Sequence, residues 1–242
     1  MPGTKRESGK TASKTTPRSR KATREGGQTE SPTNRRQALI DIAAELFAER
    51  GFQSTTVRDI GQAAGVLSGS LYYHFNSKEN IVDEILSTFL DELLKASRAI
   101  VAENPDPADA LRELIRAAFT SIGDHRAAIT VLQNERRFLT QFAWFDHVSK
   151  TENSVRRVWL KVLQDGVTSG AFRPDLDPKV TYRFVRDSVW AAVRWYTPKG
   201  ALTSAQLADQ YLTLIMEGLS APAVKSRTSA ARGRSRARTP AS

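Results

Sequence analysis

The stretch Thr56-Val57-Arg58-Asp59-Ile60-Gly61-Gln62-Ala63-Ala64-Gly65-Val66-Leu67-Ser68-Gly69-Ser70-Leu71-Tyr72-Tyr73-His74-Phe75 decides the fold. Its apolar residues sort into two short helical patterns. Val57, Ile60 and Ala64 point inward from the first, and Leu71 and Phe75, four apart, from the second. Thr55 and Thr56 offer N-caps for the first helix. Gly65 breaks it, and Gly65-Val66 makes the turn. The second helix, 68–75, is too short and too polar for a core. It leaves Ser68, Ser70, Tyr72, Tyr73 and His74 for its other faces. Two short helices joined by a tight glycine-containing turn are the minimal device for offering one helix to a DNA major groove. Small hydroxyls at the start of such a helix approach base edges; Tyr and His further along, with Lys78, reach phosphate oxygens.

Outward from this unit the period stays helical. Upstream, Leu39, Ile42, Ala43, Leu46 and Phe47 form one stripe that Gly51 stops. Downstream, Asn76 and Ser77 cap a long helix over 78–101, with Ile81, Ile85, Leu86, Phe89, Leu93 and Ile100 inward. Pro105 and Pro107 mark the next boundary. Further helices are expected at 108–123, 125–142, 147–169, 178–196 and 204–219, separated by Gly123, Gly170, the Pro174 and Pro178 segment, and Pro198-Lys199-Gly200. No alternating strand pattern competes, so the fold class is all-α.

Among the 242 residues, 40% are hydrophobic, enough for a real core, and only 8% are aromatic, which suits helix-on-helix packing. The net charge of +10 is unevenly placed: residues 1–34 carry +5 and 221–242 carry +6, leaving −1 for 35–220. The sequence therefore divides into a basic tail (1–34), a helix-turn-helix domain (35–80), a larger helical domain (81–220) and a second basic tail (221–242). Both tails lack large apolar side chains and read as disordered. They either add salt-sensitive attraction to phosphate or are solvated segments without a dedicated role.

Several function classes are disfavoured. There is no cysteine, hence no disulfide or thiolate chemistry. No 18-residue apolar run exists for a membrane span, and the N-terminus has no apolar secretory region, so a cytoplasmic, nucleoid-associated protein is expected. His74, His125 and His147 have no evident triad or metal partner, and no Gly-x-Ser-x-Gly, His-Glu-x-x-His or phosphate-loop motif occurs. An enzyme, a cofactor and a metal are not expected. A sequence-tolerant DNA-packaging protein, suggested by the tails, fits the near-neutral middle less well than a regulator does.

The residues Ala43-Ala44-Glu45-Leu46-Phe47-Ala48-Glu49-Arg50-Gly51-Phe52, Thr55-Thr56-Val57-Arg58-Asp59-Ile60, Ala64-Gly65-Val66, Gly69-Ser70-Leu71-Tyr72-Tyr73-His74-Phe75 and Ser77-Lys78-Glu79 resemble the DNA-binding domain of the TetR family in one register over about forty-five residues. The resemblance implies that Thr56 and Arg58 touch the DNA backbone or an outer base. Ser68, Gly69 and Ser70 would lie at base-reading positions, and Tyr72, Tyr73, His74 and Lys78 would contact phosphate. Four residues keep a second reading: Ser68 and Ser70 as small side chains that only allow close approach, Tyr73 as packing, and His74 as a cap suiting the helix dipole. One departure stands out. The family usually has Ser or Thr where this chain has Leu67. A lost N-cap costs about 1 kcal/mol, which Leu67 recovers by packing or by touching a thymine methyl.

The resemblance further implies a C-terminal domain that binds a small-molecule effector and dimerises through the last two long helices, near 178–196 and 204–219. Ala191, Ala192, Leu207, Tyr211, Leu214, Ile215 and Leu219 supply suitable small and apolar surface. Within the first of these helices Tyr182, Arg186 and Trp190 share one face. An arginine among apolar neighbours needs an anion. Either Asp187 or Glu217 provides it, or Arg186 and Trp190 line a pocket for an acidic, ring-bearing ligand. The segments Phe172-Arg173-Pro174-Asp175-Leu176-Asp177, Tyr182-Arg183-Phe184-Val185-Arg186-Asp187 and Val193-Arg194-Trp195-Tyr196, with Val57-Arg58-Asp59-Ile60 and Leu67-Ser68-Gly69-Ser70 upstream, are similar to the actinobacterial KstR-type repressors of late steroid-ring breakdown. That likeness implies a steroid-derived acyl-coenzyme A effector, the thioester of a hydrindanedione propanoate.

Overall fold

The computed structural model describes residues 32–220; the two tails, apart from 32–34, lie outside it. Among the described residues nine α-helices follow in order: α1 Pro32–Arg50, α2 Val57–Ala63, α3 Ser68–His74, α4 Lys78–Glu103, α5 Pro107–Asp124, α6 Arg126–Leu139, α7 Asp146–Ser169, α8 Pro178–Ala191 and α9 Ser204–Leu219. Among the described residues there is no strand, only an isolated bridge between Phe172 and Ser220. The all-α expectation holds.

Local chemistry sets most of these boundaries. Ser77 accepts from Asn80 N–H at the start of α4. Asp106 and Asp177 each accept two N–H bonds ahead of a proline at the first helical position. Thr203 and Gln206 form a reciprocal capping box on α9.

Three boundaries differ from the sequence reading. Residues 32–34, assigned to the tail, already belong to α1. The helix expected over 125–142 stops at Leu139, and a short 3₁₀ turn, Ala143–Phe145, follows. No Gly or Pro marks that stop. The chain turns there so that Leu139 and Phe145 are both buried while Phe142 stacks on Phe138 at 5.0 Å. Likewise α8 ends at Ala191 and a 3₁₀ turn carries Ala192 and Val193 into the core, held by Arg126 donating to the Tyr196 carbonyl.

α4 runs unbroken through the expected domain boundary at 80/81. Its first turns bury Ile81, Val82 and Ile85 in one continuous core with Phe47, Ile60, Leu71 and Phe75. Arg36 of α1 forms a bidentate pair with Glu84 of α4 and lies 4.6 Å above the Phe75 ring. The rest of α4 packs along α7, while α5 sits between α7 and α9.

At the α4–α7 contact, Nδ1 of His147 meets the Trp144 carbonyl at 2.8 Å. The carbonyl can only accept, so Nδ1 carries the proton. Nε2 then faces both Ser87 Oγ and Asp83 Oδ1 at 2.9 Å. Burial pushes the Asp83 carboxyl above the usual carboxylate range, and His147 only partly opposes it. A carboxyl raised in the folded state favours folding below its unfolded value and loses that contribution as pH rises through the folded one. Asp83→Asn should therefore be more stable than wild type at neutral pH, with the advantage shrinking as pH falls towards about 4. Urea unfolding between pH 4 and 8 measures this; parallel curves for the two proteins would contradict it.

Candidate DNA-binding surface and effector pocket

The presentation of α3 begins with the turn before it. Gly65 adopts φ +67°, and Val66 N–H returns to the Gly61 carbonyl at 2.9 Å. A Cβ on Gly61 would lie 3.1 Å from Leu71 Cδ1 and from the Val66 carbonyl oxygen, so a side chain there would push α2 and α3 a few tenths of an ångström apart. Leu71 and Phe75 are buried, as the sequence required, and anchor α3 from below.

Above them the outward face is open. Thr56, Arg58, Gly69, Tyr72 and Tyr73 are exposed, with Tyr73 at 88%, while Ser68, Ser70 and His74 are half-buried. These residues form one surface. Tyr73 is exposed, and among the described residues its ring meets that of His74 edge-to-face, at 5.4 Å.

Two expected DNA contacts are otherwise engaged. Thr56 accepts from Asp59 N–H at 3.2 Å while its hydroxyl donates to the Asp59 carboxylate at 2.6 Å, so its one O–H is committed to the cap of α2. That hydroxyl, together with the Thr56 N–H, holds the Asp59 carboxyl below its usual range. Lys78 has partners inside the protein as well. Its ammonium donates to the carbonyls of Phe52 at 2.7 Å and Thr55 at 2.9 Å, and sits 4.3 Å over the Phe52 ring. The turn between α1 and α2 leaves these carbonyls without helical partners, and the lysine at the start of α4 is the nearest donor. Lys78 positions the α1–α2 turn through neutral carbonyls and keeps its positive charge.

In the larger domain, Tyr182, Arg186 and Trp190 do come together. They line a small apolar cavity of about 30 Å³ with Leu93 of α4, Ala118 of α5, and Val155 and Trp159 of α7. Arg186 is half-buried and pairs with Asp187 at 2.7 Å, not with Glu217. Its guanidinium lies 5.6 Å from the Tyr182 ring and 5.9 Å from the Trp190 ring. Burial pulls the Arg186 pKa down, but the hydrogen bond and charge of Asp187, with help from Tyr182, leave it raised overall. Arg186 is thus a permanent cation. Burial raises the Tyr182 phenol, so it stays a neutral donor.

The cavity adjoins an open recess of about 460 Å³ that shares Arg186 and Trp190 and adds Gln133, Arg136 and Arg194. Sequence reasoning missed Trp159, Arg136 and Arg194. Periodicity turns Trp159 inward without saying that it meets a void, and exposed Arg136 and Arg194 reach the recess only through the packing of α6 against the turn after α8. A separate recess of about 320 Å³ by α1 and α4 is lined by Asp41, Glu45, Glu92 and Asp124, the wrong sign for an anion.

Known proteins resolve what this architecture belongs to. The sequence profile described as bacterial regulatory proteins, tetR family, matches residues 39–85, and a tetracyclin repressor-like C-terminal domain profile matches 104–219. The chain is 45% identical to the HTH-type transcriptional repressor KstR2 of Rhodococcus jostii over 80% of its length and 95% of that protein. The chain belongs to the TetR family.

This TetR-family chain is also 45% identical to KstR2 of Mycobacterium tuberculosis, over 77% of this chain and 93% of that one. The solved structure of that ketosteroid transcriptional regulator superposes with a TM-score of 0.75 at 44% identity, covering 78% and 96% of the two chains. AibR in complex with isovaleryl coenzyme A and operator DNA shares the fold at 22% identity, with a TM-score of 0.66 and coverage of 74% and 97%. The protein is a TetR-type transcriptional repressor similar to KstR2, and α2 and α3 are its helix-turn-helix. The DNA-packaging alternative falls away.

The role of Lys78 is open to measurement. Lys78→Met should destabilise the fold by about 1–3 kcal/mol, the range for charged hydrogen bonds lost from partly buried carbonyls. A phosphate contact would instead leave stability alone and lower the salt dependence of DNA binding by about one unit of slope. Urea denaturation beside a salt titration of DNA binding separates the two.

Proposed function

We propose that this repressor binds a palindromic operator as a homodimer through α8 and α9 and is released by a steroid-derived acyl-coenzyme A thioester. The observation that carries the reading is the junction at Arg186 and Trp190. On one side lies an apolar, aromatic-walled cavity; on the other, a recess with three arginines. An alicyclic acyl group suits the first and the phosphates of coenzyme A suit the second. The name of the M. tuberculosis relative, a ketosteroid regulator, supports the steroid class.

Release follows from size. A cavity of about 30 Å³ holds roughly one water. A ring skeleton enters only if α4, α5, α7 and α8 part, so the thioester binds the opened arrangement and shifts the population towards it. Two physical links run from the cavity to the helix-turn-helix. α4 contributes Leu93 to the cavity wall and Lys78 to the turn before α2. α6 donates from Gln133 to the Trp190 carbonyl at 3.3 Å, and its Glu135 accepts the Phe52 N–H at 3.0 Å. Both links end on the same turn.

For dimerisation, α8 and α9 leave apolar side chains unpartnered: Phe184 at 69% and Leu214 at 76% exposure, with Val180 and Trp195 beside them. Of the residues that sequence reasoning named, Ala191 and Leu214 face outward. Ala192, Leu207 and Leu219 are buried within the protomer, and Tyr211 and Ile215 are half-buried. Phe184→Glu and Leu214→Glu should each fold normally, sediment as monomers and bind operator far more weakly, because two linked half-sites become one. A dimer surviving both changes would move the interface elsewhere.

The effector reading is tested with full-length protein on a duplex selected from a randomised pool, titrated with alicyclic and straight-chain acyl-CoA thioesters. Release by alicyclic thioesters alone is the expected result. Arg186→Met should keep DNA affinity but need about 10- to 100-fold more thioester, the loss of one charge-assisted contact. An unchanged response moves the site, and no release by any thioester removes the effector class.

A further inference from the structure

Two residues at the start of α3 are ones the protein's own folding does not favour. Leu67 occupies the position where a capping side chain belongs. Its backbone has the extended geometry of a cap, and no side-chain hydrogen bond is made to the first turn. Packing does not compensate, because Leu67 is 85% exposed. Two residues on, Gly69 lies inside the helix, where glycine is the poorest helix former after proline. A Cβ there would meet nothing within 4 Å, so neither sterics nor backbone geometry calls for glycine. A single exposed leucine is ordinary on a protein surface. A missing cap, an exposed leucine and a helical glycine without an internal reason, within three residues of a DNA-binding helix, ask for an external partner.

The partner's chemistry follows from what Leu67 lacks. It has neither donor nor acceptor, so it cannot engage phosphate or the hydrogen-bonding base edges that Ser68 and Ser70 are able to read. In the major groove the one apolar base-edge group is the 5-methyl of thymine. We propose that Leu67 is a specificity-determining residue that packs on a thymine methyl in each operator half-site, and that Gly69 lets the start of α3 come close enough for that contact. The inference rests on DNA binding by α3 and is independent of the effector and of the route by which it acts.

The test uses full-length protein and a duplex selected from a randomised pool, amplified once with thymidine and once with deoxyuridine triphosphate; uracil is thymine without the methyl. Wild type should bind the uracil duplex about fourfold more weakly per half-site, the value of one buried methyl-sized group. Leu67→Ala and Leu67→Ser should bind the thymine duplex more weakly and lose most of the preference. Leu67→Ser, by restoring a cap, should also raise Tm by about 2–4 °C, so its loss of discrimination is not a folding defect. Gly69→Ala should raise Tm as well while weakening both duplexes. Equal binding of the two duplexes by wild type overturns the proposal. So does a thymine preference kept in full by both Leu67 variants, since another residue then reads the methyl.

Discussion

The DNA-binding half of the molecule depends on one close approach, that of α2 and α3 where Leu71 packs against Gly61. Leu71 is 1% exposed and is the chief apolar anchor of a seven-residue helix. A helix of that length is not stable alone in water. It exists because Leu71 and Phe75 are buried under it, and that burial turns Ser68, Gly69, Tyr72 and Tyr73 outward together. Arg36 over the Phe75 ring, paired with Glu84, ties the far end of α3 to α4. The outward face of α3 is therefore tied to the first turns of α4.

The turn between α1 and α2 is the second constraint. Its free carbonyls are satisfied by Lys78 from α4, and its Phe52 N–H by Glu135 from α6. Both side chains of this support, the donor Lys78 and the acceptor Glu135, belong to helices that border the Arg186 and Trp190 region. A displacement of either helix must break or carry these bonds, because buried or half-buried polar groups are costly to leave unpaired. The fold thus joins a cavity wall and a DNA-facing turn by short polar contacts.

Arg186 shows how a side chain can be structural and available at once. Asp187 compensates its half-buried charge from an exposed position, so the pair can be exchanged for another anion without opening a core. Tyr182 and Trp190 flank the guanidinium with aromatic faces. A lysine in its place would present a point charge and lose the planar fork.

Sequence alone determined much of this protein, because its signals are local. The turn at Gly65, the anchors Leu71 and Phe75, the cap at Ser77, and the i, i+4, i+8 face of Tyr182, Arg186 and Trp190 all follow from neighbours within one or two helical turns. Tertiary structure decided what depends on distant partners. It joined Lys78 to the Phe52 and Thr55 carbonyls, more than twenty residues away. It ended α6 at Leu139 without any breaker residue, chose Asp187 over Glu217 for Arg186, and showed that Ala192, Leu207 and Leu219 face the protomer's own core. Helical periodicity specifies which side of a helix is apolar; only packing specifies which other helix, void or partner that side meets.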